Sequence, residues 1–198
     1  MNAKVYDHIR TTEVLIIGGG LTGLRAALAA AEAGRDVTIL WRGPGASPGI
    51  MGFNAPMGSE DSEDIFYNDT MRSGAGINRT ALARVLAQKT RAVVEDLERR
   101  GMEFAREGDA YDLLQPLGCS YPRLVHYNSS TGLKIGKLLL HAIEEKGVHI
   151  IRGVAAIDLI MHEGEVIGVF AIDSKKGTFP SAFTRSTNPA FKMPFTTP

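Results

Sequence analysis

Three glycines carry the first chemical signal of the chain. Gly18, Gly20 and Gly23 stand at G-x-G-x-x-G spacing within Gly18-Gly19-Gly20-Leu21-Thr22-Gly23. Between a strand and a helix, that spacing sets backbone N–H groups and the positive end of a helix dipole against a pyrophosphate. The first glycine permits the tight turn, the second lets the main chain approach the phosphates, and the third lets helix and strand pack closely. Other reactive residue types stand alone. Cys119 is the only cysteine and has no identifiable base beside it, which predicts a passive thiol and excludes an internal disulfide or cysteine-clustered metal site. His126 lies in an apolar stretch and reads as structural rather than as a proton carrier; His141 and His149 read as surface or core residues. No Ser–His–Asp arrangement is present, and no catalytic residue is assigned. The carboxylates between Ser59 and Asp64 suit a divalent cation or the first turn of a helix, where acids complement the dipole. The helix start is preferred, so no metal site is predicted.

The elements around the glycines supply the context that the motif requires. Val14 to Ile17 is an apolar, partly β-branched run that suits a strand buried on both faces. Leu24 to Ala33 is Ala-rich and strongly helical, Gly34 ends it, and Val37 to Leu40 makes a second strand. Strand, glycine turn, helix and strand within about 30 residues form a βαβ unit and predict dinucleotide binding. One position departs from the pattern. About 20 residues on, where an acidic side chain would grip the ribose, stand Trp41 and Arg42. Ribose recognition then uses backbone groups, or Arg42 meets a phosphate.

Beyond Arg42 the chain is irregular to Gly58, and its apolar segment Gly49 to Pro56 predicts a loop laid against a cofactor. A helix follows to about Ser73. A second helix is capped by Thr80 and carries Leu82, Val85, Leu86, Val93, Val94 and Leu97 as its apolar stripe, ending at Gly101. Short strand-like pieces occupy Met102 to Pro122, and Leu124 to Tyr127 allows another. An amphipathic helix runs from about Leu133 to Glu145, and Val148 to Arg152 reads as a third parallel strand. Ala155 to Met161 and Val166 to Ile172 flank a hairpin signal, and Thr178 and Phe179 start a third meander strand. Pro180 to Pro198 is a proline-rich tail with no clear period.

Composition limits the partners. Lysine and arginine together number 22, as do aspartate and glutamate, so a general nucleic-acid surface gets no support. Met1 to Thr12 is not a signal peptide, and no apolar run approaches the length of a membrane span. A cytoplasmic protein is expected. The fold class is α/β: a Rossmann-like FAD/NAD(P)-binding domain of the two-dinucleotide-binding type over residues 1–179, with an attached β-meander, and a tail over 180–198.

Several weak motifs in one order make a specific resemblance. Besides the glycine loop they are Asp69-Thr70 with Gly74-Ala75-Gly76-Ile77, and Tyr121-Pro122-Arg123-Leu124-Val125-His126 followed by Ser130-Thr131-Gly132. Over Val14 to Phe179 the chain resembles the N-terminal part of the flavoproteins that include fumarate reductase, succinate dehydrogenase and L-aspartate oxidase. The resemblance implies FAD in extended form. It puts the pyrophosphate at Gly19 to Thr22, the ribose near Trp41 and Arg42, the flavin near the loop from Gly49 through Asn54 to Pro56, and the adenine by Val154-Ala155. The flavin loop has no histidine, which implies non-covalent FAD. The family's Gly-Gly-His-Ser becomes Leu117-Gly118-Cys119-Ser120, a change in the region that sets specificity. The resemblance also implies an incomplete C-terminus: the family's Ala-Thr-Gly-Gly strand, capping domain and final Gly-Asp segment are not recognisable here. The expected function is an FAD-dependent oxidoreductase moving hydride between a small carboxylate and flavin, incomplete as this chain. The alternative is a catalytically silent FAD- or nucleotide-binding module. Implied partners are a small carboxylate and a second chain supplying the missing half or accepting electrons.

Overall fold

The structure is a computed structural model that describes residues 9–173 and 181–185. In chain order its elements are β1 (Ile9–Thr12), β2 (Val14–Ile17), α1 (Leu21–Glu32), β3 (Val37–Trp41), β4 (Gly52–Asn54), α2 (Glu63–Ser73), α3 (Thr80–Arg99), β5 (Arg106–Glu107), β6 (Ala110–Tyr111), β7 (Leu124–His126), α4 (Thr131–Glu145), β8 (His149–Arg152), β9 (Val154–His162), β10 (Glu165–Asp173) and β11 (Ser181–Arg185). They form two compact units. One is built from the described residues up to Gly45 and from Leu139 onward, the other from Ala46–Leu138, the division falling within α4.

The first unit holds a parallel sheet in the order β2-β3-β8 and a second sheet in the order β1-β11-β10-β9. The register Ile16↔Ile39↔Ile150 makes β3 central, and its Val37 to Leu40 are all buried. The strand predicted to be buried on both faces, β2, is instead only partly buried, with Ile17 exposed. It lies at the edge of its three-stranded sheet, so full burial passes to β3. Helix α1 packs on β2 and β3 through the buried Leu24, Ala27 and Leu28. Leu40, Val154, Val169 and Ala171 form the core between the two sheets, with Leu15, Ile151 and Ala156 packed against them.

The meander differs from the sequence expectation at both ends. Its first hairpin turns at Glu163 and Gly164, both at positive φ, as β9 and β10 require. The predicted start of a third strand at Thr178 and Phe179, with the turn before it, lies outside the described residues. The strand that pairs antiparallel with β10 is Ser181–Arg185, inside the stretch expected to be a tail. Beyond Arg185 that tail lies outside the described residues. β11 also pairs in parallel with β1, an N-terminal strand that polar composition had concealed.

In the second unit α2 and α3 pack against each other. Ser62 caps α2, accepting from the Ile65 N–H at 3.2 Å, with Glu63 and Asp64 in the first turn. At α3 the cap position is Arg79, which makes no side-chain cap bond, and Thr80 is the first helical residue rather than the cap. The buried face of α3 is Ala83, Ala87, Thr90, Val94 and Leu97. Leu82, Val85, Leu86 and Val93 of the predicted stripe are exposed. The helix carries two apolar faces, and the buried one begins with alanines, whose small side chains allow close packing. Periodicity alone favoured the larger residues.

Candidate functional site

The glycine loop connects β2 to α1, and the structure gives three of its glycines different duties. Gly18 has φ +104°, a left-handed conformation that disfavours any side chain, and its N–H donates to the Leu40 carbonyl at 2.8 Å. A Cβ on Gly23 would fall 1.9 Å from the Gly18 carbonyl oxygen, so the turn and the first helical turn exclude anything larger than hydrogen. Gly20 differs from both. It sits at the N-cap of α1 with φ −75° and ψ 176°, extended backbone that any residue adopts. As a glycine it offers no side-chain cap, and no acid occupies the first turn of the helix. Glycine at position 20 answers no local conformational need, which is what close approach of a ligand phosphate to Gly20, Leu21 and Thr22 would explain. The loop therefore fits a pyrophosphate.

Trp41 and Arg42 follow at the end of β3. The Trp41 indole lies on Gly19, where a Cβ would fall 2.1 Å from its Cδ2. Its Nε1 donates to the Gly43 carbonyl at 2.7 Å, and the Arg152 guanidinium stands 4.4 Å from its ring centre. Beside it opens a cavity of about 310 Å³ lined by Trp41, Arg42, Gly43, Pro44, Arg152, Gly153 and Asp173. Ala155, the expected adenine neighbour, is half-buried on β9 opposite Ile172; Gly153 rather than Ala155 lines the cavity.

The remaining expected cofactor residues, Gly49 and Asn54, belong to the second unit. The segment expected to be a loop is partly ordered into elements. Ser47–Gly49 is a 3-10 turn, and β4 pairs with β7 in the register Gly52↔His126, Phe53↔Val125 and Asn54↔Leu124. Three residues are too few for a strand period to show in sequence. Thr131 and Gly132 fix this segment: the Thr131 hydroxyl donates to the Met51 carbonyl, and the Gly132 N–H donates to the Ile50 carbonyl at 2.9 Å. A Cβ on Gly132 would fall 1.9 Å from the Ser47 carbonyl oxygen. The Thr-Gly pair of the sequence motif is thus a clamp on the segment expected at the flavin.

The second unit also contains a buried charge cluster. Arg123 is fully buried and donates through Nη2 to Asp61 at 3.0 Å and to Asp69 at 2.8 Å. Asp69 further accepts from the Ser120 N–H and hydroxyl, both at 2.7 Å, and from Arg72. Burial alone would raise Asp69, but the Ser120 donors and the two arginines outweigh it and hold the carboxyl below 3.8. At Asp61 burial prevails over the attraction of Arg123 and the group is raised above 3.8. Asp61, read from sequence as part of a helix start, is therefore half of a buried ion pair. The signal for this was an arginine beside the apolar Leu124-Val125, since a charge in such surroundings needs a partner. Its partners lie 54 and 62 residues away, Asp69 within the Asp69-Thr70 motif and Asp61 within the acidic helix start, and nothing local joined either to Arg123. No group of residues suited to hold a metal occurs among the described residues.

Arg123 and Asp69 line a cavity of about 590 Å³ together with Phe53, Asn54, Asn78 and Cys119. Burial raises the Cys119 thiol, which opposes thiolate formation. The Asn54 amide nitrogen reaches the Cys119 sulfur at 3.8 Å. His126 is largely buried, with Nε2 3.5 Å from Asp112 Oδ2. His141 is exposed beside Glu145, and His149 is exposed on β8.

Residues 13–187 match the family described as FAD binding domain. The chain belongs to that family. FAD is the cofactor of this FAD-binding domain. The domain is 29% identical over 196 residues to a fumarate reductase (CoM/CoB) subunit from Methanothermobacter marburgensis, covering 94% of this chain and 35% of that protein. It is 30% identical over 169 residues to L-aspartate oxidase of Saccharolobus solfataricus, covering 84% of this chain and 34% of that protein. The solved structure of Mycobacterium smegmatis Sdh1 matches the FAD-binding domain at a TM-score of 0.84 and 28% identity, over 90% of this chain and 33% of that one. The chain spans about a third of the length of the curated relatives it matches. No helix among the described residues is long and apolar enough to cross a membrane.

Proposed function

We propose that this chain is the nucleotide-binding part of an FAD-dependent oxidoreductase of the fumarate reductase and L-aspartate oxidase type, working on a small carboxylate. The observation that carries the proposal is Gly20, a glycine in unstrained extended backbone at the N-cap of α1. Bound FAD supplies the hydride acceptor or donor. The chain's own residues hold and orient it: Gly19 to Thr22 at the pyrophosphate, Trp41 and Arg42 at the ribose, Ala155 at the adenine, and Gly49 and Asn54 toward the flavin. The segment from Gly49 to Pro56 contains no histidine, which supports non-covalent attachment. The lone cysteine supports a reducing, cytoplasmic setting.

A second reading applies to the chain by itself, as an FAD-binding module that is silent without residues from another chain or segment. It is favoured by the carboxylates beside the two candidate substrate groups. Arg123 is neutralised by Asp61 and Asp69, and His126 faces Asp112. A second chain supplying the substrate side, or an electron-transfer partner, completes the enzyme in this reading. The test is an FAD titration of the chain and its Gly20→Val variant. The variant keeps its fold by circular dichroism and loses FAD binding; an unchanged affinity would remove the phosphate site from this loop.

A further inference from the structure

The position that ends β3 is where a nucleotide-binding βαβ unit normally holds the ribose with a carboxylate, which also repels a phosphate on the 2′-hydroxyl. Trp41 occupies it. The indole is fixed from three sides: Gly19 beneath it, the Gly43 carbonyl accepting from its Nε1, and Arg152 against its face. The last contact follows from the fold, since Trp41 and Arg152 are partners in the parallel register of β3 and β8. Gly19 is glycine because of this indole. Its φ is not in the left-handed region, yet any Cβ there would strike the ring.

The adjoining cavity presents two guanidiniums, Arg42 and Arg152, against one carboxylate, Asp173. Glu144, 3.9 Å from Arg152, is not among the lining residues. With Gly19 and Arg152 against the indole, the groups left to meet a ligand are the guanidiniums, which recognise an anion by charge.

We infer that Arg42 and Arg152, with Trp41 standing where a carboxylate would be, make this site hold the adenosine end of its cofactor by cationic contact, without a carboxylate grip on the ribose, and that a ribose 2′-phosphate is accepted there. The inference rests on the FAD reading above and names the residues that set its nucleotide selectivity.

Trp41 is the only tryptophan of the chain, so its emission reports on this site alone. The experiment titrates the full chain with FAD, then displaces the FAD with 5′-ADP or with 2′,5′-ADP, following both tryptophan and flavin fluorescence. The expected result is that 2′,5′-ADP competes within about threefold of 5′-ADP or better, and that both shift the Trp41 emission. Arg42→Ala and Arg152→Ala should each weaken 2′,5′-ADP more than 5′-ADP. Trp41→Glu, followed by flavin fluorescence alone, should turn the preference about tenfold or more against 2′,5′-ADP. Asp173→Asn should leave 5′-ADP affinity unchanged. Arg152 is half-exposed, so its variant keeps the test valid where Trp41→Glu unfolds. Normal FAD binding with rejection of 2′,5′-ADP by the unaltered chain, or loss of 5′-ADP affinity in Asp173→Asn, overturns the inference and leaves the FAD reading intact. Failure of both FAD and 5′-ADP to bind overturns both.

Discussion

Arg123 donates to Asp69 at 2.8 Å across 54 residues of sequence, and neither side chain is more than marginally exposed. The same guanidinium also holds Asp61, so one cation ties the start of α2 and its buried face to the β7 segment. Removing the cation leaves two buried carboxylates without it. Arg123→Ala should cost about 3–5 kcal/mol, the range for breaking a buried ion pair from one side. Chemical denaturation of the purified variant measures this, and a loss no larger than that of an exposed arginine would contradict the account.

The two carboxylates should leave opposite marks on the pH dependence of stability. Asp69 is lowered when folded, so its contribution is present above the unfolded value near 3.8 and is lost as pH falls through its folded value. Asp61 is raised when folded, so its contribution is present below 3.8 and is lost as pH rises through its folded value. Stability should therefore rise as pH falls toward 3.8 and decline below it, as far as these two groups are concerned. Asp61→Asn should remove the upper limb and Asp69→Asn the lower one. Thermal melts across the acid range, compared between the three proteins, test the assignment.

Gly132→Ala should loosen the segment expected at the flavin. The added methyl would meet the Ser47 carbonyl oxygen at 1.9 Å, so the turn Ser47–Gly49 or the start of α4 must shift. FAD affinity should fall by about tenfold or more, and overpacking at the buried Gly132 should cost about 1–3 kcal/mol of stability besides. An unchanged affinity would disconnect the clamp from the cofactor.

Acid precipitation of protein loaded with FAD should release the flavin into the supernatant. Colour retained in the pellet would show covalent attachment and contradict the reading of a segment without histidine.

The chain alone should show no turnover of succinate, fumarate or aspartate. Positioning a substrate within near-attack distance and holding an acid or base in reach of the moving proton are both large contributions to rate. Arg123 is paired with the buried Asp61 and Asp69 instead, and His126 lies 3.5 Å from the half-exposed Asp112. A dye-linked assay decides, and turnover abolished in His126→Ala would place the site within this chain.

The βαβ unit was legible in the residues themselves, because its glycines, its Ala-rich helix and its β-branched strands are all local signals. Gly18 at positive φ and Gly23 against the Gly18 carbonyl behave as their spacing required. The hairpin of β9 and β10 was legible for the same reason, its turn residues lying between two apolar runs. Which face of α3 is buried became visible only in three dimensions, since Ala83 and Ala87 are buried by tertiary packing and not by their own hydrophobicity. The same holds for Asp61 and Asp69 sharing Arg123, for the pairing of β1 with β11, and for Trp41 resting on Gly19. Each of these joins residues far apart in the chain, and their meeting depends on strand order and helix packing, which no local period encodes.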